Sequence, residues 1–576
     1  MNSKAWLKII LMILALGFLF SPGVQHHWTI AHDPYFVPFD AVQYIPSYFK
    51  YDRREPIPTT YIKEYYLNVT CPILYRWVTK LGAQMTDVRH FQVALTYLLY
   101  GLFIIILGRI GWLLGGPVLS FAVMALSIEA WIFFGLGFVG GAPRMFAYPL
   151  VALIFYSFIQ DRPMLLASIV VLGGLLYPIV VMLGGFSLTS WLLLKPLAGQ
   201  GTVSRWSMPQ RLGILTVTGF LSFAAVFPLV LASKPYGRHV VTADIATYPE
   251  AGPEGNYRSY DRLPFELFGN EWMVYFAGPL ISHGDPIVPS LNLHKNLDSR
   301  STLGTIAASA GVIFVIILAG ARRLLRSNCR VTIVRITVFF LGCILLHVFA
   351  WFFSPYFFIP TRYLMFTLPF LITLIFPWAL YALLANSAQL QARPRSRTAA
   401  FMGIIAVYLL LFGGRGNVDF SDAVVKKTTQ PLFNAVAALP SDAVVAGWPL
   451  GEVRKMEYAT RRNVFLTGDV HQVLYLDCLK TMRERMDAMF DAYFSTDGAP
   501  IARLKQTYGV THLLVETQDF TGSGHPPEYF APWNTRIRQR LAAIKGREYL
   551  MSASLHQKAA VYSRDGLILL DLARLP

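Results

Sequence analysis

The sequence predicts a polytopic α-helical membrane protein with a soluble α/β domain at its C-terminal end. Three observations predict it. Of the 576 residues, 55% are hydrophobic and only 14% charged, whereas a soluble globular chain carries roughly 25% charged residues. Apolar runs recur from residue 5 to residue 414, many near the ~20 residues that cross a hydrocarbon core. Beyond residue 414 the runs shorten and alternate between helical and strand periodicity.

Taken in order, Lys4 and Lys8 flank the start of an apolar run that ends near Phe20. Ser21-Pro22-Gly23-Val24 lacks a small-x-small cleavage site, so the run reads as an uncleaved first helix rather than a signal peptide. Candidate spans are 5–24, 91–109, 112–139, 145–160, 164–177, 179–195, 213–233, 303–321, 332–353, 363–385 and 398–414. Tyr177-Pro178 marks a hairpin bend, because Pro lacks a helix donor and disfavours helix in the residue before it.

Loop charge gives an independent reading of the topology. With Lys4 and Lys8 inside, alternation puts Arg109, Asp161-Arg162, Lys195 to Arg211, Arg322 to Arg330 and Gln391 to Arg397 in the cytoplasm. The last two hold Arg322, Arg323, Arg326, Arg330, Arg393, Arg395 and Arg397, and they are the most basic short loops. The expectation is about eleven spans, with a cytoplasmic N-terminus and a periplasmic C-terminus in a bacterial inner membrane. Residues 1–414 then form the transmembrane domain, with outer loops 25–90 and 234–302, and residues 415–576 form an extracytoplasmic α/β domain. The net charge of +17 follows from this loop bias and does not call for nucleic acid. Cys71, Cys329, Cys343 and Cys478 contain no CxxC pair, so neither a zinc site nor a disulfide framework is indicated.

In the C-terminal domain, helices are expected at 431–438, 472–494 and 499–508, and strands at 443–446, 464–466 and 512–515. No GxGxxG or GxxxxGK[ST] appears there, so no nucleotide site is indicated. An enzyme on the outer face therefore needs a donor already activated and anchored in the bilayer, such as a polyprenyl-phosphate-linked sugar. Such chemistry asks for a base at the acceptor and cations at the phosphate.

The base is sought in His32-Asp33-Pro34-Tyr35-Phe36-Val37-Pro38-Phe39-Asp40, directly after the first helix. Asp33 is the preferred candidate and Asp40 the second, while Asp33 equally suits a turn or helix cap, as Asp-Pro often does. Glu64 reads as a solvated helix face. Arg144, after Gly140-Gly141-Ala142-Pro143, and Arg362, after Ile359-Pro360-Thr361, are the phosphate or substrate candidates, since outer loops are poor in positive charge. The competing reading for both is interfacial anchoring beside Tyr148 and Tyr363. Glu129 falls inside a span, where an ionisable group marks either function or a buried hydrogen bond. His26, His27 and His32 match no metal-ligand spacing, and Asp261, Glu266, His283 and Asp285 in the second outer loop read as solvated. The loop aromatics suit sugar stacking or an interfacial belt.

These features together resemble the GT-C superfamily of polyprenyl-phosphate-dependent glycosyltransferases. The resemblance is carried by the acidic, aromatic first outer loop with Asp33, by Gly-Gly-Ala-Pro-Arg-Met-Phe-Ala-Tyr-Pro (140–149) and Ile-Pro-Thr-Arg-Tyr-Leu (359–364), and by the outer C-terminal α/β domain. It implies a glycosyltransferase, inverting, with a lipid-phosphate sugar as donor, an acceptor that is a glycan, lipid or protein, and the membrane as partner, without nucleic acid. Asp33 belongs to no Asp-x-Asp or Glu-x-Asp pair and no Trp-Trp-Asp run is present. The resemblance accordingly implies metal-independent transfer more readily than use of Mg or Mn. A transporter or flippase of lipid-linked sugars and a non-catalytic membrane assembly protein are the alternatives.

Overall fold

Most of the helices that the apolar runs predict are present in the computed structural model, which describes residues 14–17, 24–38, 40–130, 132–194, 197, 201–252, 255, 299–325, 329–353, 359–385, 393–412, 423–449, 451–467, 473–520, 529–543 and 556–575. Most of the expected first span, 5–24, lies outside these residues, as do Phe39 and the second-loop groups Asp261, Glu266, His283 and Asp285. Among the described residues, four helices are long and apolar enough to cross a membrane: Val88–Glu129, Met208–Tyr236, Arg330–Phe352 and Arg362–Ala385. They mark an integral membrane protein. Shorter apolar helices run Pro143–Ile159, Pro163–Leu176 and Ile179–Leu193.

The first of the long helices turns back on itself. Gly115 and Gly116 leave helical geometry, Gly116 at φ +75°, and Pro117 follows. The two arms then pack closely: Ser120 Oγ donates to the Gly108 carbonyl at 2.8 Å, and Tyr100 reaches the Ser127 and Ile128 carbonyls. A Cβ on Gly111 would lie 2.8 Å from the Ser120 Cα, so glycine permits this approach. The connection expected at Arg109 therefore lies about one and a half turns later, at the Gly-Gly-Pro. At Tyr177-Pro178 a second hairpin forms as expected, with Gly173 against Val180 and Gly184 against Val170.

Apolar side chains also cover the outside of the bundle. On the Met208–Ser233 helix, Val217, Phe220, Phe223, Phe227 and Val230 are all exposed, a face suited to lipid rather than water. At one end of the bundle Arg335 is buried over the Trp191 ring, 4.2 Å from its centroid. It donates to the Phe158 and Leu197 carbonyls and pairs with Asp161 at 2.7 Å. One side chain, near the start of the Arg330–Phe352 helix, thus ties two of the connections that the charge pattern groups together.

Near the C-terminus, five strands form one sheet: β1 (Val444–Ala446), β2 (Asn463–Val464), β3 (His512–Glu516), β4 (Ala560–Arg564) and β5 (Leu567–Asp571), in the order β2-β1-β3-β5-β4. β1 runs parallel to β2 and β3, and the other pairs are antiparallel. The Val453–Thr460 helix between β1 and β2, with Val453, Met456 and Thr460 buried, is not among the helices expected from the sequence. Residues of this segment, including Val425, Leu432, Phe433, Val445 and Val453, belong to the same buried cluster as the membrane helices.

Charges as well as apolar packing join residues 40–90 to the C-terminal segment. Lys63 is buried and reaches Glu457 at 2.8 Å and Asn463 at 2.7 Å. Arg461 pairs with Asp52 at 2.8 Å and Asp87 at 3.5 Å, and lies over the Phe49 ring. Arg89 binds Asp87 and donates to the Tyr458 and Ala459 carbonyls. Removing one member of such a set leaves a buried charge unpaired, so the network ties Asp52, Lys63 and Asp87 to the segment carrying Glu457, Arg461 and Asn463.

Candidate functional site

The acidic stretch owes its shape to backbone pairing. Phe36 bridges Val424 antiparallel, Val37 N–H donates to Ala423 and Val425 N–H donates to Tyr35. Tyr35 OH donates to Asn434 Oδ1 at 2.8 Å. Pro34 and Pro38 keep the stretch from coiling into helix, which leaves the Val37 N–H for this partner while the Tyr35 and Phe36 N–H groups turn back to Asp33.

The two acids divide in role. Asp33 is half-buried, and its Oδ1 accepts from Tyr35 N–H at 2.8 Å, a local turn of the kind Asp readily makes. Among the described residues it forms no ion pair. Asp40 stands at the N-cap of the Ala41–Tyr44 helix but makes no capping bond. Its carboxylate instead pairs with the Arg144 guanidinium, the two side chains being 23% and 15% exposed. The sequence placed Asp33 first; the guanidinium stands beside Asp40.

Arg144 reaches Asp40 because of the turn before it. Gly140 and Gly141 have φ of +102° and +66°, values that disfavour residues with a Cβ. A Cβ on Gly140 would lie 3.2 Å from the Asp40 Cβ, and one on Gly141 would lie 2.8 Å from Ile45 Cδ1. Tyr75 OH donates to the Gly141 carbonyl. Gly140→Ala is expected to cost about 1–2 kcal/mol in backbone strain and to push Asp40 from Arg144. Thermal unfolding and the rate of the reaction proposed below check the two parts separately.

Phenols wall the pair. Tyr44 is buried, and burial first, then the Asp40 charge, push its phenol well up, with Arg144 opposing. Burial likewise pushes the Tyr48 and Tyr75 phenols up and the Cys71 thiol up to about 11. These groups stay neutral, so the pair sits beside a polar but uncharged wall. Tyr177, electrostatically coupled to Tyr44, packs its ring on Phe366 at 5.4 Å. Tyr148 donates to the Met365 carbonyl at 3.1 Å. The Arg362–Met365 turn is thereby packed against the Tyr177-Pro178 bend, with Arg362 Nη1 2.9 Å from Met365 Sδ.

Other candidates lie apart from the pair. Glu129 is buried at the end of its hairpin arm beside Tyr100. Glu64 pairs with Lys50 at 2.6 Å. His27 is turned to Tyr97 OH at 2.8 Å, its imidazole lowered to about 4 by burial and then by His26 and His32. His32 bonds the Trp28 carbonyl. Among the described residues no three His, Cys, Asp or Glu side chains gather to hold a metal ion. The donor set at the pair also fits a divalent cation poorly, since the Asp40 carboxylate faces a guanidinium. Tyr44 is one of the loop aromatics expected to stack on sugar or form an interfacial belt, whereas Tyr75 and Gln92, which crowds Gly141, had no motif to mark them.

Fold and site together define an integral membrane protein with a carboxylate–guanidinium pair walled by phenols. No protein-family model and no curated protein sequence matches the chain. Its structural neighbours include ArnT from Cupriavidus metallidurans bound to undecaprenyl phosphate, 12% identical over 99% of this chain and 98% of that one, with a TM-score of 0.48. They also include the archaeal oligosaccharyltransferase AglB from Archaeoglobus fulgidus in complex with an inhibitory peptide and a dolichol-phosphate. That structure is 9% identical over 90% of this chain and 70% of that one, again with a TM-score of 0.48.

Proposed function

We propose that the chain is a membrane glycosyltransferase that moves a sugar from a polyprenyl-phosphate-linked donor to an acceptor on the non-cytoplasmic face. The observation that carries this reading is the Asp40–Arg144 pair at the mouth of the helices. A carboxylate and a guanidinium side by side supply the two things the reaction needs, a proton acceptor and an anion holder.

In the proposed step, Asp40 takes the proton from an acceptor hydroxyl or amine. The acceptor heteroatom attacks the anomeric carbon as the bond from that carbon to the phosphate oxygen breaks. The electron pair leaves with the lipid phosphate, held by Arg144 and by Arg362 across the Tyr177–Phe366 contact. Displacement from the opposite face inverts the anomeric centre. Asp33 shapes the loop through its turn, and Glu129 is a structural acid of the bundle. Phosphate and proton are both managed by side chains, so no metal is required.

The topology that suits this chemistry has about eleven spans, with residues 1–414 in the membrane and 415–576 outside. It is supported by helices at most of the expected positions and by the Arg335 clasp, which draws connections of like charge to one end. The test is reconstitution in proteoliposomes with an undecaprenyl-phosphate-linked, radiolabelled sugar and a membrane extract as acceptor source. Label moving to a new covalent product with release of undecaprenyl phosphate is expected. Label crossing the bilayer with no covalent product would replace this reading with transport.

A further inference from the structure

We infer that the Asp40–Arg144 ion pair is a latch that donor binding opens, so that the base is presented only when a lipid phosphate is in place. The inference rests on the glycosyl-transfer reading of the site. Among the described residues, each of the two charges has the other as its ion-pair partner. A carboxylate closed on a guanidinium does not face an acceptor hydroxyl, and a guanidinium closed on a carboxylate does not face a phosphate. Arg binds both anions through the same planar fork, so an entering phosphate competes with Asp40 for one set of N–H groups.

The surroundings favour a side-chain switch over a loop movement. The backbone before Asp40 is pinned by the Val37–Ala423 bond, and the backbone after it enters the Ala41–Tyr44 helix. Gly140 presses close to the Asp40 backbone. What can move is the carboxylate itself, which makes no capping bond to hold it. Once displaced, it turns from Arg144 toward the acceptor, and no base is offered to water while the donor is absent.

Binding of undecaprenyl phosphate to the purified full-length protein in detergent, followed by intrinsic tryptophan fluorescence, tests the latch. Asp40→Asn removes the competing charge and is expected to bind about tenfold tighter than the wild type, within the range usual for coupling free energies in proteins. Arg144→Gln is expected to bind at least about tenfold more weakly on the same scale. Asp40→Ala gives the same reading if Asp40→Asn does not fold, and Asp40→Glu, which keeps the charge, should match the wild type. Equal or weaker binding by Asp40→Asn or Asp40→Ala overturns the latch, as does a tenfold gain with Asp40→Glu. A wild type that does not bind undecaprenyl phosphate at all instead overturns the glycosyl-transfer reading.

Discussion

Asp40→Asn is expected to lower the rate of sugar transfer by about 10²–10⁴-fold, the usual contribution of a positioned general base, while the protein stays folded. The carboxamide is nearly isosteric and still accepts a hydrogen bond from Arg144, so the turn around it should survive. What disappears is the oxygen that takes the acceptor proton. The signature is a fall in kcat with lipid phosphate still bound, and a steady-state transfer assay with a melting curve separates this from misfolding. Asp33→Asn is the companion variant. Its Oδ1 can still accept from Tyr35 N–H, so activity within about twofold of wild type is expected, since surface substitutions away from such features usually cost little. A collapse with Asp33→Asn and full activity with Asp40→Asn would move the base seven residues toward the N-terminus.

Arg461→Ala is expected to destabilise the protein by about 3 kcal/mol, the range seen when one member of a buried ion pair is removed. Arg461 is 13% exposed, Asp52 5% and Asp87 11%. Loss of the guanidinium leaves Asp52 with Arg54 and Asp87 with Arg89 as remaining partners. Denaturant unfolding in detergent checks the size of the loss. Adding Asp52→Asn to Arg461→Ala should recover part of it, because Asp52 is then left with Arg54 alone at 3.8 Å, whereas Asp87 keeps Arg89 at 2.6 Å.

The same cluster sets an acid limit. Burial alone would push the Asp87 carboxyl up, but the hydrogen bonds and charge of Arg89, with Arg461 behind them, bring it down to about 2, and Asp52 is also lowered. A carboxyl lowered in the folded state contributes stability that is complete above its unfolded value near 4 and is lost as pH falls toward 2. In Arg461→Ala, which removes part of that lowering, the loss should be smaller and be complete at a higher pH.

The membrane character of this chain was legible in its sequence because lipid imposes it residue by residue. A span must be apolar and about 20 residues long, and basic loops collect on one side. The strands of the C-terminal sheet from 444 to 516 were legible for a related reason, since β-branched and apolar runs mark them. The Val453–Thr460 helix and the strand pair at 560–571 were missed, one being short and largely polar, the other lying beyond the last expected strand at 512–515.

Of the site, composition determined the members but not their partners. Arg144 and Arg362 stood out because positive charge is scarce in loops expected outside, and Asp33 and Asp40 because they follow the first expected helix. The choice between the two acids was a tertiary matter. It depended on a strand pairing with Ala423 to Val425, on two glycines at positive φ, and on Tyr75 holding the Gly141 carbonyl. None of these has a local sequence signature, because each depends on a contact between segments distant in the chain. The charge network of Lys63, Asp52, Asp87 and Arg461 was hidden for the same reason. Solvation fixes which residues are rare on a given face, and that is written locally; which of them meet is set by long-range packing.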